Sequence, residues 1–303
     1  MKRLISMILL CSLLFGCAAV WPVGEGCTFT DDLGRTVTVD DPGQVACLLG
    51  SFADVWHLAG GTIAAAPDDA WADFDLPLSA DTVNLGHTKS LSLEALFAAE
   101  PDFVIASANT DIDLAWKDTL ESAEIPTAYF DVSDFDDYLR MLKICTDITG
   151  RPDLYEKHGL DVQKEIDLAV ENARNRGTSP KVLYLRASAS SIRAKNSTGS
   201  VLGEMLAALG CVNIADSDAT LLENLSMEHI LMEDPDFIFF VQLGDDAAGT
   251  SANIDRFLAE NPAWATLTAV QAGRVFFLDK TLYNMKPNAR WGEAYLQLEE
   301  LLR

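Results

Sequence analysis

The stretch SLEALFAAEPDFVI at residues 92–105 returns as SMEHILMEDPDFIF at residues 226–239, in the same register and without a gap. Ser, Glu, Pro, Asp and Phe are identical in the two copies, and most of the intervening acidic and apolar positions match in kind. Each copy predicts a Ser N-cap, a short helix, a Pro-Asp turn and a buried strand. One unit repeated 134 residues apart indicates two lobes of similar build.

The segments around these copies alternate short apolar runs with helical patterns, which is typical of parallel α/β units. Residues 28–39 alternate apolar and polar positions around Asp32-Leu33-Gly34 and predict a β-hairpin. Further strands are predicted at residues 45–49, 103–106, 127–130, 182–185, 237–241 and 275–278. Predicted helices lie between them, at residues 52–58, 92–99, 110–123 and 201–209.

Residues 134–175 contain no strand-like run, and their apolar residues recur at helical spacing. Gly150-Arg151-Pro152 interrupts this pattern, because Pro fits the start of a helix but not its middle. We therefore predict a helix, a break and a long helix that reaches Arg174. The predicted fold is α/β, with two Rossmann-like lobes on central parallel sheets joined by one long α-helix. The bounds are an N-terminal lobe at 28–137, a helical connector at 138–176 and a C-terminal lobe at 177–303.

The first sixteen residues, MKRLISMILLCSLLFG, have the pattern of an export signal. Two bases precede an apolar run of about a dozen residues, which is too short for a stable membrane-spanning helix. The run ends at Leu14-Phe15-Gly16-Cys17, which resembles a bacterial lipobox, where the Cys thiol is acylated. We predict a lipoprotein signal peptide at 1–16, lipidation of Cys17 and a tether at 17–27. The protein would then be exported and anchored, through its lipid alone, on the outer face of the cytoplasmic membrane. An ordinary secretory signal cleaved nearby is the alternative.

The composition limits the classes of partner. The 303 residues carry 46 Asp and Glu against 22 Lys and Arg, a formal net charge of −24. A hydrophobic share of 49% is too high for a disordered acidic polymer. The acidity argues against duplex nucleic acid and an anionic bilayer surface, because both bind basic faces. Beyond the lipobox no two cysteines have the C-x-x-C spacing of zinc and redox motifs, so pairing stays open among Cys27, Cys47, Cys145 and Cys211.

Two segments in the second half break the acidic pattern, because residues 172–203 and 280–292 contain bases and no acid. Arg186 directly follows the predicted strand at 182–185, and parallel sheets bind ligands beyond the carboxyl ends of their strands. Arg193 and Lys195 lie in a polar hairpin or loop near the same edge. Since Arg suits planar carboxylate or phosphate groups, we predict that these three residues hold an anionic ligand. Weaker candidates for the same ligand are Lys286 and Arg290. The remaining bases are predicted to face solvent or pair with nearby acids: Arg174, Arg176 and Lys181.

Several motifs resemble one family, in that family's order, from about residue 28 to the C-terminus. They are the two copies quoted above, Asp32-Leu-Gly34-Arg35-Thr-Val37, Leu209-Gly210-Cys211-Val-Asn213 and Leu267-Thr-Ala269-Val270-Gln-Ala-Gly273-Arg274-Val275. Together they resemble the iron-siderophore/cobalamin class of substrate-binding proteins that serve bacterial ABC importers, the Fe/B12 helical-backbone family. Cys211 departs from the pattern, since relatives usually carry Gly there.

The resemblance implies a ligand cleft between the lobes and a monomer without a cofactor that captures an iron(III) chelate, such as a ferric siderophore. Cobalamin, a corrinoid, and haem are alternative ligands. It also implies one surface Glu on each lobe that docks onto Arg pockets of the ABC permease dimer, which works with its ATPase. Glu94 and Glu228 occupy those positions. Matched carboxylates suit a two-fold partner, whereas a favourable helix N-terminal charge does not explain the same residue at the same register twice.

Further candidates for ligand contact are residues in or near predicted loops. The resemblance places a ligand-facing loop at His87 and Lys89. Trp56 and Tyr283 are aromatic residues near predicted loop ends, where they would add apolar contact area to a pocket.

Three other classes of protein are alternatives to this prediction. A bare transition-metal ion needs three or four converging His, Asp or Glu, for which His57 and His87 with an acid are the candidates. An enzyme is not predicted, because G-x-S-x-G, Walker and H-E-x-x-H motifs are missing from the sequence. A sensor or adhesin on the same scaffold is the remaining alternative, since fold does not fix function.

Overall fold

The structure, a computed structural model, describes residues 26–217, 220–223 and 225–303. The predicted signal peptide, Cys17 and the tether up to residue 25 therefore lie outside the described residues. Within the described ranges, no helix is long and apolar enough to cross a membrane.

The N-terminal lobe is built on a parallel sheet. Its strands are β1 (Cys27–Thr30), β2 (Thr36–Val39), β3 (Val45–Cys47), β4 (Ile63–Ala66), β5 (Val83–Asn84), β6 (Phe103–Ser107) and β7 (Thr127–Phe130). The first two form the antiparallel hairpin that the sequence predicts. The other five are parallel in the order β5-β4-β3-β6-β7. Every residue of β6 is buried, as expected of an apolar strand with helices on both faces of its sheet.

Five short helices accompany this sheet: α1 (Gly50–Leu58), α2 (Asp69–Ala72), α3 (Leu93–Ala98), α4 (Asp111–Ala115) and α5 (Lys117–Ser122). The single helix predicted at 110–123 is thus divided in two. The division falls at Trp116, whose side chain packs into the core on one face of the sheet.

The connector consists of α6 (Phe135–Ile148), α7 (Pro152–Tyr155), a π-helical turn at Glu156–Leu160 and α8 (Asp161–Arg176). The last three follow one another directly, so they form the predicted long helix after the predicted break. Asp134 caps α6 by accepting a hydrogen bond from the Asp137 N–H at 2.9 Å. Gly177, with φ at +67°, ends α8 in the left-handed conformation that glycine tolerates best.

The C-terminal lobe repeats the parallel arrangement. Its strands are β8 (Lys181–Ala187), β9 (Ile192–Lys195), β10 (Val212–Asn213), β11 (Phe237–Gln242) and β12 (Val275–Leu278). Four are parallel in the order β10-β8-β11-β12, and β9 pairs antiparallel with β8. Its helices are α9 (Val201–Ala208), α10 (Thr220–Glu223), α11 (Met227–Glu233), α12 (Ala247–Glu260), α13 (Thr268–Gln271), α14 (Lys280–Tyr283) and α15 (Trp291–Leu301). Short 3₁₀ turns lie at Ile214–Asp216, Pro262–Thr266 and Asn288–Arg290.

The repeated sequence folds in the same way in both lobes. The Ser92 hydroxyl accepts a hydrogen bond from the Ala95 N–H at 3.1 Å, and the Ser226 hydroxyl accepts one from the His229 N–H at 3.3 Å. These are the two predicted N-caps, at the starts of α3 and α11.

The turns after the two helices are also equivalent. The Asp102 carboxylate accepts hydrogen bonds from the Gly43 and Gln44 N–H groups just before β3. The Asp236 carboxylate accepts one from the Lys181 N–H at the start of β8. The repeat thus sets corresponding strands, β6 and β11, beside corresponding neighbours. The prediction of two similar α/β lobes joined by a long helix is confirmed.

Apolar packing is continuous from one lobe to the other. A single cluster of buried residues contains Phe130 of the first lobe, Leu142 of α6, and Tyr184 and Trp291 of the second lobe. The opposite faces of the two sheets have separate clusters. The lobes are therefore joined by packed side chains as well as by the connector.

Candidate functional site

The carboxyl ends of the two parallel sheets face each other, and a cleft lies between them. His87 follows β5 and Asp245 follows β11, and their Nε2 and Oδ2 atoms are 3.9 Å apart. A cavity of about 400 Å³ at this place is lined by both lobes, including His87, Lys89, Leu243 and Met285. Cavities of this size at the carboxyl edge of parallel sheets are where α/β proteins bind small ligands.

A smaller cavity of about 250 Å³ adjoins the first, since Asp73 lines both. It also lies between the lobes, because its wall includes Asp54 and Phe74 of the first lobe and Lys286 and Arg290 of the second. The segment after β12 thus contributes to both parts of the cleft.

Three predicted ligand residues lie on one face of the β8–β9 hairpin. Arg186 lies directly opposite Arg193, and Tyr184 lies directly opposite Lys195. Directly opposed residues, and residues two apart on a strand, project from the same face of a sheet. The hairpin therefore gathers Arg186, Arg193 and Lys195 beside the Tyr184 hydroxyl, which accepts a hydrogen bond from Arg186 Nη2 at 3.4 Å.

Lys286 joins this group from the segment after β12. It is close enough to Asp131, which follows β7, and to Arg186 for both charges to act on its pKa. Burial is the main cause of its lowered pKa, and repulsion by Arg186 adds to it while Asp131 opposes it. We call Arg186, Arg193, Lys195 and Lys286 the basic cluster.

The bases of this cluster are not paired with acids in the described part of the chain, although Asp131 is close enough to Lys286 to act on its pKa. Among the described residues, no Asp or Glu forms an ion pair with any of its four members. The buried Nε of Arg186 also has no hydrogen-bond partner in that part of the chain. Burial, followed by repulsion from Arg186 and Arg193, lowers the pKa of Lys195. Positive charge is thus concentrated at this place without a paired acid in the described part of the chain.

Bases outside the cluster behave differently. Arg176 pairs with the buried carboxylate of Glu299, and Lys181 pairs with Glu233 at 3.0 Å. Arg174 is exposed near the end of α8. Arg290 lines the smaller cavity but pairs with Glu293 at 2.7 Å, so its charge is already neutralised.

The predicted loop residues His87 and Lys89 do reach the cleft, where both line the larger cavity. The Nδ1 atom of His87 accepts a hydrogen bond from the Lys89 N–H at 3.1 Å, which leaves Nε2 to face Asp245. This short turn holds the imidazole toward the second lobe.

Two aromatic candidates are corrected by the structure. Trp56 is 2% exposed, lies in the shared core and donates its indole N–H to the Thr62 carbonyl at 2.8 Å. Tyr283 is also 2% exposed, and its hydroxyl donates to the Ala294 carbonyl at 3.1 Å. Both side chains pack inside the protein with their polar atoms satisfied, so neither lines the cleft.

The bare-metal alternative gains no support from the geometry. His57 is exposed at the end of α1, and its charge contributes to the lowered pKa of His158 on the connector, after burial and Lys157. Within the described ranges, no group of three or more His, Cys, Asp or Glu has an arrangement that could hold a metal ion.

The predicted docking residues are both exposed. Glu94 and Glu228 lie in the first turns of α3 and α11, two residues after the equivalent Ser caps. The repeat therefore presents one carboxylate at corresponding positions of the two lobes.

The sequence reasoning missed the acids of the cleft and one further base. Lys280 Nζ lies 2.7 Å from Asp73 Oδ1 and 2.7 Å from Asp245 Oδ1. Asn288, fully buried, donates to the Ser51 carbonyl and to the Asp54 carboxylate, both at 2.8 Å. A signal for Asp245 and Lys280 was available, because both follow the carboxyl ends of predicted strands.

Comparisons with known proteins agree with this geometry. A family model described as "Periplasmic binding protein" matches residues 45–282. A comparison with curated protein sequences finds no significant match.

Three solved structures illustrate the shared fold. The apo periplasmic heme-binding protein RhuT from Roseiflexus sp. RS-1 is 22% identical, with a TM-score of 0.69 over 85% of this chain and 97% of its own. S. aureus SirA complexed with staphyloferrin B is 21% identical, with a TM-score of 0.68 over 91% and 96%. S. aureus IsdE complexed with heme is 15% identical, with a TM-score of 0.70 over 85% and 98%. At these identities the likeness shows the fold.

Proposed function

The chain belongs to the periplasmic binding protein family, and on that premise we propose that it is the extracytoplasmic solute-binding component of an ABC importer that captures an anionic iron(III) chelate in the interlobe cleft. Members of this family bind solutes and use no cofactor for the purpose. The ligand is the cargo that the permease receives.

The unpaired basic cluster carries this proposal. The chain has 46 acids and 22 bases. Because acids are in excess, a base that forms no ion pair is unexpected. Burial is the main cause of the lowered pKa values of Lys195 and Lys286, and repulsion by Arg186 adds to it in both. A bound anion would offset the repulsion between these bases. The planar guanidinium group of Arg is suited to bidentate hydrogen bonds with carboxylates.

An iron chelate fits both the charge and the fold. Carboxylate and catecholate chelates of iron(III) carry net negative charge on planar oxygen groups. The SirA structure, which contains staphyloferrin B, shows that this fold accommodates a siderophore. Lys286 of the basic cluster lines the smaller cavity of about 250 Å³, which adjoins the larger one of about 400 Å³.

A titration of intrinsic tryptophan fluorescence tests the ligand class, because the chain contains six Trp. We expect saturable binding of ferric citrate at micromolar or lower concentration and no response to Zn²⁺ or Mn²⁺ alone. Saturable binding of either free ion, with no response to ferric citrate or a ferric catecholate, contradicts the proposal.

Delivery to the permease is assigned to Glu94 and Glu228. Their equivalent, exposed positions suit a permease dimer with two Arg pockets, powered by its ATPase. The variant Glu94→Ala/Glu228→Ala should bind ferric citrate normally and lose uptake of radiolabelled iron by cells. Glu171→Ala/Glu260→Ala, which removes exposed carboxylates elsewhere, is the matched control. Normal uptake by the first variant rules out this docking role.

Export and anchoring complete the proposal. The leader at 1–16 and lipidation of Cys17 would hold the protein, as a monomer, on the outer face of the membrane. Mass spectrometry of the cell-derived protein tests this, since a diacylated N-terminal Cys17 is expected. An N-terminus at another residue without lipid contradicts it.

Haem is a second candidate ligand, favoured by one observation. His87 of the first lobe and Met285 of the second line the same cavity, and His with Met is an established pair of haem-iron ligands. Titration with haemin should then give a Soret band that shifts in both His87→Ala and Met285→Ala. A spectrum identical to free haemin, or unchanged by both substitutions, excludes this ligand set.

A further inference from the structure

Lys280 connects the two lobes at the wall of the larger cavity. Its ammonium group lies 2.7 Å from a carboxylate oxygen of Asp73 in the first lobe and 2.7 Å from one of Asp245 in the second. We infer that Lys280 is a positioning residue, because the cross-lobe tie Asp73–Lys280–Asp245 fixes the separation of the lobes at the cavity and thereby limits how fast a bound ligand leaves. The inference rests on the proposed function, since the tie has this role only if the cleft holds a ligand.

Both ends of the tie are attached to the framework of their lobes. Lys280 is the first residue of α14, directly after the N-cap Asp279, whose carboxylate accepts two N–H groups of the first turn. Asp73 ends α2, and its N–H donates to the Asp69 carbonyl. The Asp69 carboxylate in turn accepts the Gly50 N–H at the start of α1 at 3.1 Å. The backbones of Lys280 and Asp73 are therefore each held by contacts within their own lobe, so separation of the lobes would pull the paired side chains apart.

The cross-lobe half of the tie is the less exposed half. The side chains of Lys280 and Asp73 are 22% and 16% exposed, whereas that of Asp245 is 68% exposed. Water and salt screen an exposed pair more than a partly buried one. Burial disfavours the charged ammonium, but the hydrogen bonds to Asp245 and Asp73 outweigh it and raise the pKa of Lys280.

Direct ligand contact is the competing role for Lys280, and its pairing argues against it. The basic cluster has no acidic partners among the described residues, whereas Lys280 has two at hydrogen-bond distance. An anion that approached Lys280 would have to displace a carboxylate and would meet the charge of the other. Lys280 is therefore suited to holding the cleft rather than to binding its contents.

The first test uses the ligand-free protein, so that it does not depend on the identity of the ligand. Asp73→Asn and Lys280→Gln remove the cross-lobe pair, and Asp245→Asn, which removes the more exposed partner of Lys280 together with its 3.9 Å contact to His87, is the comparison. We expect hydrogen exchange of the α2 amides to rise about threefold to tenfold in the first two variants, and less than twofold in Asp245→Asn. Hydrogen exchange of the amides of β6, the buried strand inside the sheet of the first lobe, should stay unchanged in all three variants.

The second test measures dissociation of ferric citrate by stopped-flow fluorescence. We expect about threefold to tenfold faster dissociation from Asp73→Asn and Lys280→Gln than from the wild type. Unchanged exchange at α2 in both variants, or an equal effect of Asp245→Asn, overturns the tie. Slower ferric citrate association in Lys280→Gln with unchanged exchange also overturns it, in favour of ligand contact. If the wild type does not bind ferric citrate, the proposed function fails for that ligand, and the exchange experiment still decides whether the tie exists.

Discussion

Two groups of bases, which we call the two ends, have opposite surroundings: Lys280 lines the larger cavity, and the basic cluster reaches the smaller one through Lys286. At one end Lys280 lies between two carboxylates, one from each lobe, at 2.7 Å. At the other end Arg186, Arg193 and Lys195 share one face of a hairpin with no acidic partner among the described residues. In a chain with twice as many acids as bases, this difference is why we propose a structural contact for the paired base and a ligand site for the unpaired ones.

The buried acid Asp113 shows why an unpaired arginine is stronger evidence for a bound anion than an unpaired carboxyl group is for a bound cation. Asp113 is fully buried without a cation, and burial raises its pKa to about 7, although a hydrogen bond from the Ser107 N–H opposes the shift. Asp113 can thus lose its charge by binding a proton. A guanidinium group cannot lose its charge in this way.

Removing the basic cluster should give the largest effect. In Arg186→Gln/Arg193→Gln/Lys195→Gln we expect ferric citrate binding to weaken about 100-fold or more, since each charged hydrogen bond is worth about 1.5–3 kcal/mol. Isothermal titration calorimetry measures the change, and Arg174→Gln is the control on an exposed helix end. If the triple variant bound ferric citrate within twofold of the wild-type affinity, the unpaired bases would not be the ligand site, and the proposed difference between the two ends would be wrong.

The cost of a buried charge can be measured at Asp113. Its folded pKa of about 7 lies above the ordinary 3.8, so the stability from the protonated carboxyl is complete below about pH 4 and is lost as pH rises through about 7. Asp113→Asn should therefore gain about 2–4 kcal/mol relative to the wild type between about pH 4 and pH 8. Urea unfolding at several pH values measures this, with exposed Asp118→Asn as control. A difference that does not vary with pH contradicts the assignment.

Asn288 provides a neutral cross-lobe contact for comparison with Lys280. Asn288→Ala removes both hydrogen bonds to the first lobe and should lower the free energy of unfolding by about 2–3 kcal/mol. Because Asn288 has φ at +51°, Asn288→Gly should recover about 1 kcal/mol of that loss by relieving backbone strain. Equal stability of wild type and Asn288→Ala by chemical denaturation would show that this contact does not hold the lobes.

The smallest effect is expected for a paired base on the surface. Lys181→Gln breaks the exposed pair with Glu233 and should change stability by about 0.5 kcal/mol or less, with ferric citrate binding unchanged. Any loss of ligand affinity beyond twofold in this variant would mean that pairing does not separate structural bases from ligand-binding ones.

The sequence predicted the basic end of the cleft better than the tied end. Arg186 ends a clear apolar strand and Arg193 lies in the next polar segment, so local order along the chain was enough to bring them together. Lys280 and Asp73 lie in different lobes, and no local pattern specifies a contact between them. The two-residue strands β5 and β10 were missed because they are too short to show a period.

The aromatic candidates failed for a different reason. Trp56 lies in a helix with apolar residues on several sides, so periodicity did not show which way its ring points. Tyr283 ends the short helix α14, where a position near a loop gave no information on burial. Both are held in the core by packing that only the assembled lobes provide.

A crystal structure of the complex with ferric citrate tests the central claim most directly. The account predicts chelate oxygens within hydrogen-bond distance of Arg186 and Arg193, with Lys280 still paired to Asp73 and Asp245. A chelate bound elsewhere in the cleft, with the guanidinium groups of the basic cluster free of it, would contradict the account.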